Sequence, residues 1–108
     1  MTKYYVMGNY TAKAFQGFIK NPSQDRSAAV KSLTESVGGK FESFSITRGQ
    51  FDFVAVTSGD ISFENFAGVK LAVEASGTVK NMIILEEMDM NKAAQNAAKA
   101  MSDYKPAG

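Results

Sequence analysis

The segment from residue 38 to residue 56 constrains the fold more than any other part of the chain. Gly38 and Gly39 can end a helix, because glycine adopts the left-handed backbone conformation at little cost. Two strand-like runs follow, residues 40–48 and 51–57, and a short turn containing Gly49 joins them. A tight glycine-containing turn between two such runs predicts a hairpin. We therefore expect a helix that leads into two adjacent antiparallel strands.

The other elements follow from apolar spacing and from capping residues. Short aromatic and β-branched runs predict strands, whereas apolar residues three or four positions apart, after a Ser, Thr or Asp cap, predict helices. The predicted elements are strands at 3–9 and 79–86, one or two helical turns after Thr11, helices at 23–37 and from Asp60 or Ser62 to Ser76, and a C-terminal helix that begins at Asp89.

The order strand, helix, strand, strand, helix, strand is the split βαβ arrangement. We predict an α+β, ferredoxin-like βαββαβ fold with a four-stranded antiparallel sheet, both main helices on one sheet face, and an extra C-terminal helix. A chain of 108 residues, 44% of them hydrophobic, suits one such domain. We expect this domain to occupy residues 1–101, with residues 102–108 as a C-terminal tail.

The predicted sheet carries apolar side chains on both faces. Residues 51–57 are apolar on both sides apart from Asp52 and Thr57, which is typical of a strand that is covered on both faces of the sheet. A bare apolar sheet face usually marks an interface, so we expect a homodimer or higher homo-oligomer. Two sheets packed face to face would form a dimeric α/β barrel with a cavity between the chains.

Alternation gives the strand at 40–48 one apolar face and one mostly hydroxylated face. Either face can line the predicted cavity. The apolar face carries Phe44, Ile46 and Arg48, and the other face carries Phe41, Ser43, Ser45 and Thr47.

Composition excludes several kinds of site and partner. The chain has no cysteine and no histidine, which removes thiolate nucleophiles, the usual general base and the commonest metal ligand. We therefore predict no metal and no cofactor. The 12 basic and 11 acidic residues are scattered, so we expect no nucleic-acid partner. No window approaches the ~20 apolar residues of a membrane span, and we expect a soluble, cytoplasmic protein.

Asp52 is the candidate catalytic residue. It begins the third strand directly after the turn, where a carboxylate facing apolar side chains could have a raised pKa and act as a base. The alternative is structural, since Asp commonly caps the backbone amides of a turn. The sequence favours the capping interpretation.

Several side chains could orient a flat aromatic compound inside a barrel. Hydroxyls and an amide would supply hydrogen bonds, and an arginine at the mouth would hold an acidic group. The alternative for the aromatic residues is core packing, and the alternative for the arginine is a solvated position at the end of a strand. The candidate ligand-binding residues are Tyr5, Asn9, Ser45, Thr47 and Arg48.

The chain resembles the GYD-domain proteins of the dimeric α/β-barrel superfamily over residues 4–86. The resemblance rests on the opening Tyr-Tyr-Val-Met-Gly-Asn-Tyr-Thr at 4–11, on the segments at 38–44 and 75–79, and on the turn at 49–52. The family pattern is Gly, a variable residue, Tyr and Asp, and here Phe51 replaces the tyrosine. The resemblance implies a fold and an assembly, whereas the wider superfamily includes cofactor-free monooxygenases, lactone isomerases and haem-degrading enzymes.

Three functional hypotheses follow. In the first, the dimer cavity binds a small apolar or aromatic molecule, with cofactor-independent monooxygenase-like or isomerase-like activity as an extension. In the second, the protein is a non-catalytic oligomeric structural or regulatory module, which the lack of histidine and cysteine favours. Haem chemistry ranks last, because the usual axial ligands are missing.

Overall fold

The computed structural model describes all 108 residues. Four strands and four helices follow one another along the chain. They are β1 (Lys3–Tyr10), α1 (Ala12–Lys20), α2 (Arg26–Ser36), β2 (Lys40–Ile46), β3 (Phe53–Ser58), α3 (Phe63–Ala75), β4 (Val79–Glu86) and α4 (Met90–Asp103).

The four strands form one antiparallel sheet in the order β2-β3-β1-β4. The first crossover contains α1 and α2, and the second contains α3. Apolar residues of α1, α2 and α3 pack against the same set of buried strand residues, so these helices cover one sheet face. The ferredoxin-like prediction and the extra C-terminal helix are confirmed.

Side-chain caps fix where the helices begin. Thr11, Ser62 and Asp89 each accept a hydrogen bond from the amide three residues on, as the sequence predicts. The helix predicted from residue 23 starts later, because Asp25 is its cap and accepts from the Ser27 amide at 2.9 Å. The first helix is longer than predicted, at nine residues.

Two register shifts change which residues face the helices. In β2 the shift lies between Phe41 and Ser43, so Phe41 pairs with buried Thr57 while Ser43 pairs with Val56 on the opposite face. The predicted placement of Phe41 beside the serines is therefore wrong, because a bulge reverses simple alternation. The second shift is in β4, where Asn81 adopts a left-handed φ of 56°.

The sheet face under the helices, called the helix face, carries the core. Its buried apolar side chains alternate along β1 and β3, whereas the register shift in β4 separates Val79 and Met82 by three residues. These buried side chains are Tyr4, Val6, Tyr10, Phe53, Ala55, Val79 and Met82. No large side chain is completely buried, which indicates loose packing between helices and sheet.

The opposite sheet face, called the open face, is also apolar but has no helix over it. The half-buried side chains are those of Tyr5, Met7, Val54 and Val56, and they are joined by Ile83 and Leu85, which are 40% and 51% exposed.

The C-terminal helix projects from this domain. The radius of gyration is 17.8 Å and the longest dimension is 60 Å, whereas a compact domain of about 100 residues has a radius of about 13 Å. Met90 and Met101 of α4 are 64% and 79% exposed. The helix therefore adds little to the core.

Candidate functional site

An apolar cavity of about 130 Å³ lies between α2, α3 and the helix face of the sheet. Fifteen of its eighteen lining residues are hydrophobic. The floor is made by strand residues such as Val6, Phe53 and Ala55, and the walls by helix residues such as Val30 and Val69. The loose packing between helices and sheet is thus concentrated in this cavity.

The glycine at position 8 lets the Phe53 ring lie close to the β1 backbone at the floor of the cavity. Gly8 belongs to the helix face and pairs with Phe53 across the sheet. A Cβ atom at residue 8 would lie 3.1 Å from the Phe53 ring, closer than ordinary van der Waals contact. The Phe53 ring therefore rests on bare backbone of β1, and it also packs against Tyr10 with ring centroids 5.3 Å apart.

The three lining residues that are not hydrophobic are Arg26, Thr34 and Thr57, and Tyr10 adds a phenol. Thr57 is 4% exposed, and its hydroxyl is buried without any hydrogen-bond partner. Thr34 differs, because its hydroxyl donates to the Val30 carbonyl at 2.8 Å. A buried hydroxyl with no partner is unusual, since nearly all buried polar groups in native proteins are hydrogen-bonded.

Two opposite charges act on the phenol of Tyr10. Burial raises the pKa of its phenol, the Arg26 guanidinium lowers that pKa, and the Asp52 carboxylate raises it by less than Arg26 lowers it. Among nearby charged groups, Arg26 therefore has the larger influence at this end of the cavity.

Asp52 itself makes structural contacts. Its Oδ2 accepts a hydrogen bond from the Tyr10 amide at 2.8 Å and a longer one from Asn9 Nδ2 at 3.4 Å. Its own amide donates to the Gly8 carbonyl at 2.8 Å. The carboxylate thus holds the end of β1 against the β2–β3 turn, rather than capping the turn's own amides.

The predicted ligand-binding residues fall outside the cavity. Tyr5, Asn9 and Ser45 lie on the open face, where Ser45 pairs with Val54. Thr47 and Arg48 lie beyond the end of β2 and are exposed. The Thr47 hydroxyl donates to the Phe51 carbonyl at 2.6 Å and its amide donates to the Asp52 carbonyl at 2.8 Å, so this residue closes the turn.

Sequence reasoning missed Thr57 and Arg26 as residues that line the cavity. The signal for Thr57 was present, since it is one of only two polar residues in an otherwise apolar strand. Arg26 carries no such signal, because it is the exposed first residue of α2 and reaches the cavity only in the folded chain.

A second groove, of about 450 Å³, lies between the start of α3 and β4. Its lining includes Phe63, which is 82% exposed, and its two charged residues are Lys70 and Glu86. No buried polar atom without a partner belongs to this groove. The smaller cavity is therefore the better candidate site.

The structure brings no three acidic side chains together in a way that could hold a metal ion. Glu86, Glu87 and Asp89 are exposed, and Asp89 caps α4. None of the helices has the length and hydropathy needed to cross a lipid bilayer.

Comparisons with known proteins give one family match. The family model of the GYD domain matches residues 4–97. No curated protein sequence matches the chain. Among solved structures, the fold is similar to that of a hypothetical protein from Pyrococcus horikoshii, with 7% sequence identity and a TM-score of 0.48, covering 82% of this chain and 92% of that one.

Proposed function

The chain belongs to the GYD-domain family, and we propose that it is a homodimeric protein that binds a small apolar or aromatic molecule. The observation that carries this proposal is the apolar cavity beside Thr57, whose buried hydroxyl has no partner within the chain. Apolar pockets with a few convergent polar groups are the usual form of small-molecule sites.

The homodimer is supported by the open face. Tyr5, Met7, Val54 and Val56 are only half-buried in one chain, and Leu85 is 51% exposed. These residues belong to three adjacent strands and form a contiguous apolar surface. A second copy with the same surface would cover it, which is the isologous arrangement of most dimers.

The binding site lies within each subunit rather than between the two sheets. The large side chains of the open face would fill the space between paired sheets, whereas the space under the helices is already a cavity. The sequence predicted a cavity between the two chains, whereas this proposal puts the site within each subunit and keeps the dimer. The helix-side location also gives each subunit a complete site.

A non-catalytic role is favoured over catalysis. Asp52 was the candidate base, but it does not line the cavity, and its carboxylate accepts a short hydrogen bond from the Tyr10 amide. An oxygenase-like or isomerase-like activity would need another group. The alternative function is a purely structural dimer whose cavity stays empty.

Native mass spectrometry of protein purified directly from its source tests both parts of the proposal. We expect a dimer, or a multiple of it, that carries the extra mass of a small molecule. A monomer would contradict the assembly. For the cavity, we expect benzene and indole to raise the melting temperature of the ligand-free protein, because they suit an apolar space of this size.

The matched control is a cavity-filling substitution. Val69→Phe, on the α3 wall, should abolish the effect of benzene and indole while the protein remains folded. Val54→Ile, on the open face, should leave the effect unchanged. If neither probe stabilises the wild-type protein and no mass is retained, the structural alternative replaces the binding function.

A further inference from the structure

We propose that the cavity takes a single-ring aromatic carboxylic acid whose carboxylate pairs with Arg26 and whose far end bears a hydroxyl that hydrogen-bonds to Thr57. This inference rests on the proposed binding function and names the class of ligand. The ring would lie among the apolar side chains of the cavity, between these two polar residues.

Arg26 is the only charged residue that lines the cavity, and it has no ion pair. The ion pairs of the chain all use lysines, at Lys31, Lys40 and Lys70. A planar guanidinium beside an apolar space suits a carboxylate, which it can bind through two parallel hydrogen bonds.

Neither Asp25, the residue before Arg26, nor Asp52 forms an ion pair with Arg26. Asp25 Oδ1 accepts from the Ser27 amide at 2.9 Å, and Asp52 Oδ2 accepts from the Tyr10 amide at 2.8 Å. At the Tyr10 hydroxyl the pKa-lowering effect of Arg26 exceeds the pKa-raising effect of Asp52. Arg26 therefore lines the cavity with no carboxylate partner from the chain itself.

Thr57 supplies the second, independent observation. Its hydroxyl is buried and unpaired, and a hydroxyl can both donate and accept. A ligand hydroxyl that reaches it would satisfy a group that the protein leaves without a partner. An apolar ligand end would not.

The positions of these groups set the shape of the ligand. Phe53 and Thr57 lie on the same face of β3 four residues apart, which at a strand rise of ~3.4 Å is about 14 Å. Tyr10 packs on Phe53 and so lies at the opposite end from Thr57, and Arg26 is close enough to Tyr10 to lower the pKa of its phenol. A cavity of about 130 Å³ compares with the roughly 150 Å³ that accommodates benzene. The cavity therefore has room for the ring of a para-hydroxybenzoate, whose carboxylate would extend beyond it to the exposed Arg26.

Calorimetric titration of the ligand-free protein with 4-hydroxybenzoate, its neutral analogue 4-hydroxybenzamide, and benzoate tests the inference. We expect 4-hydroxybenzoate to bind at least about tenfold more tightly than either of the others, since each comparison removes one partner of a polar contact. This comparison needs no variant, so it does not depend on the folding of a mutant.

Two variants then assign the contacts. Arg26→Gln should weaken 4-hydroxybenzoate binding at least about tenfold and leave 4-hydroxybenzamide binding unchanged, whereas Arg48→Gln, at the other arginine of the chain, should change neither. Thr57→Val should remove the advantage of 4-hydroxybenzoate over benzoate.

The outcomes separate this inference from the proposed function. If benzene or indole binds but 4-hydroxybenzoate and its neutral amide bind equally, the acid assignment is wrong and the apolar site stands. If 4-hydroxybenzoate binding survives Arg26→Gln unchanged, the pairing with Arg26 is also wrong. If benzene, indole, 4-hydroxybenzoate, 4-hydroxybenzamide and benzoate all fail to bind, the proposed binding function itself is wrong.

Discussion

Thr57→Val should make the ligand-free protein more stable. The substitution keeps a β-branched side chain in a strand and replaces a buried hydroxyl that has no hydrogen-bond partner with a methyl group. Burying an unsatisfied hydroxyl costs about 1–3 kcal/mol, and the added methyl contributes about 0.8 kcal/mol of apolar burial. We therefore expect the free energy of unfolding to rise by about 2 kcal/mol.

Urea denaturation of protein that has been unfolded, freed of ligand and refolded measures this change. A gain of about 2 kcal/mol corresponds to a melting temperature higher by about 8 °C or more for a domain near 100 residues. Thr34→Val is the matched control, because Thr34 is equally buried but its hydroxyl donates to the Val30 carbonyl. That variant should be unchanged or slightly less stable. Equal or lower stability of Thr57→Val would refute the reasoning, because it would mean that the hydroxyl already has a partner.

Three further perturbations test other parts of the structure. Asp52→Asn should lower the free energy of unfolding by roughly 1 kcal/mol in urea denaturation, because a neutral oxygen replaces the carboxylate that accepts from the Tyr10 amide; an unchanged midpoint would contradict the structural role. The pKa of Tyr10 is raised on folding, chiefly by burial, so its contribution to stability is complete below the unfolded value of 10.0 and is lost as the pH rises through the higher folded value. Denaturation at a series of pH values should therefore show a shallower alkaline loss of stability in Tyr10→Phe than in the wild type, and identical slopes would exclude the effect. Val54→Lys should dissociate the proposed dimer in light scattering while circular dichroism stays native, because Val54 lies on the open face; a variant that remains dimeric would show that another surface forms the interface.

The fold could be predicted from the sequence because its signals are local. Caps at Thr11, Ser62 and Asp89 fix helix starts, and the glycine turn fixes the hairpin. The bulge that moves Phe41 to the helix face could not be predicted, because it depends on pairing with β3 rather than on any residue of β2 alone.

The candidate site was harder to predict than the fold. Alternation identified the polar side chains of the hairpin, but Ser45 faces away from the helices and Thr47 closes the turn. The cavity arises where α2 and α3 leave a gap over the sheet, and that gap is a property of tertiary packing. Of the polar residues that line the cavity, only Thr57 had a signal in the sequence, as one of two polar residues in an otherwise apolar strand.

Because the Phe53 ring rests on Gly8, the depth of the cavity and its polar recognition depend on different residues and can change independently in evolution. Polar recognition would depend on Arg26 and Thr57, at the two ends of the cavity, whereas its depth depends on how low the Phe53 ring can lie over β1. A side chain at residue 8 would lift the Phe53 ring and reduce the depth of the cavity without altering either polar group. Relatives could in this way diverge in the size of molecule they accept while conserving the chemistry by which they hold it.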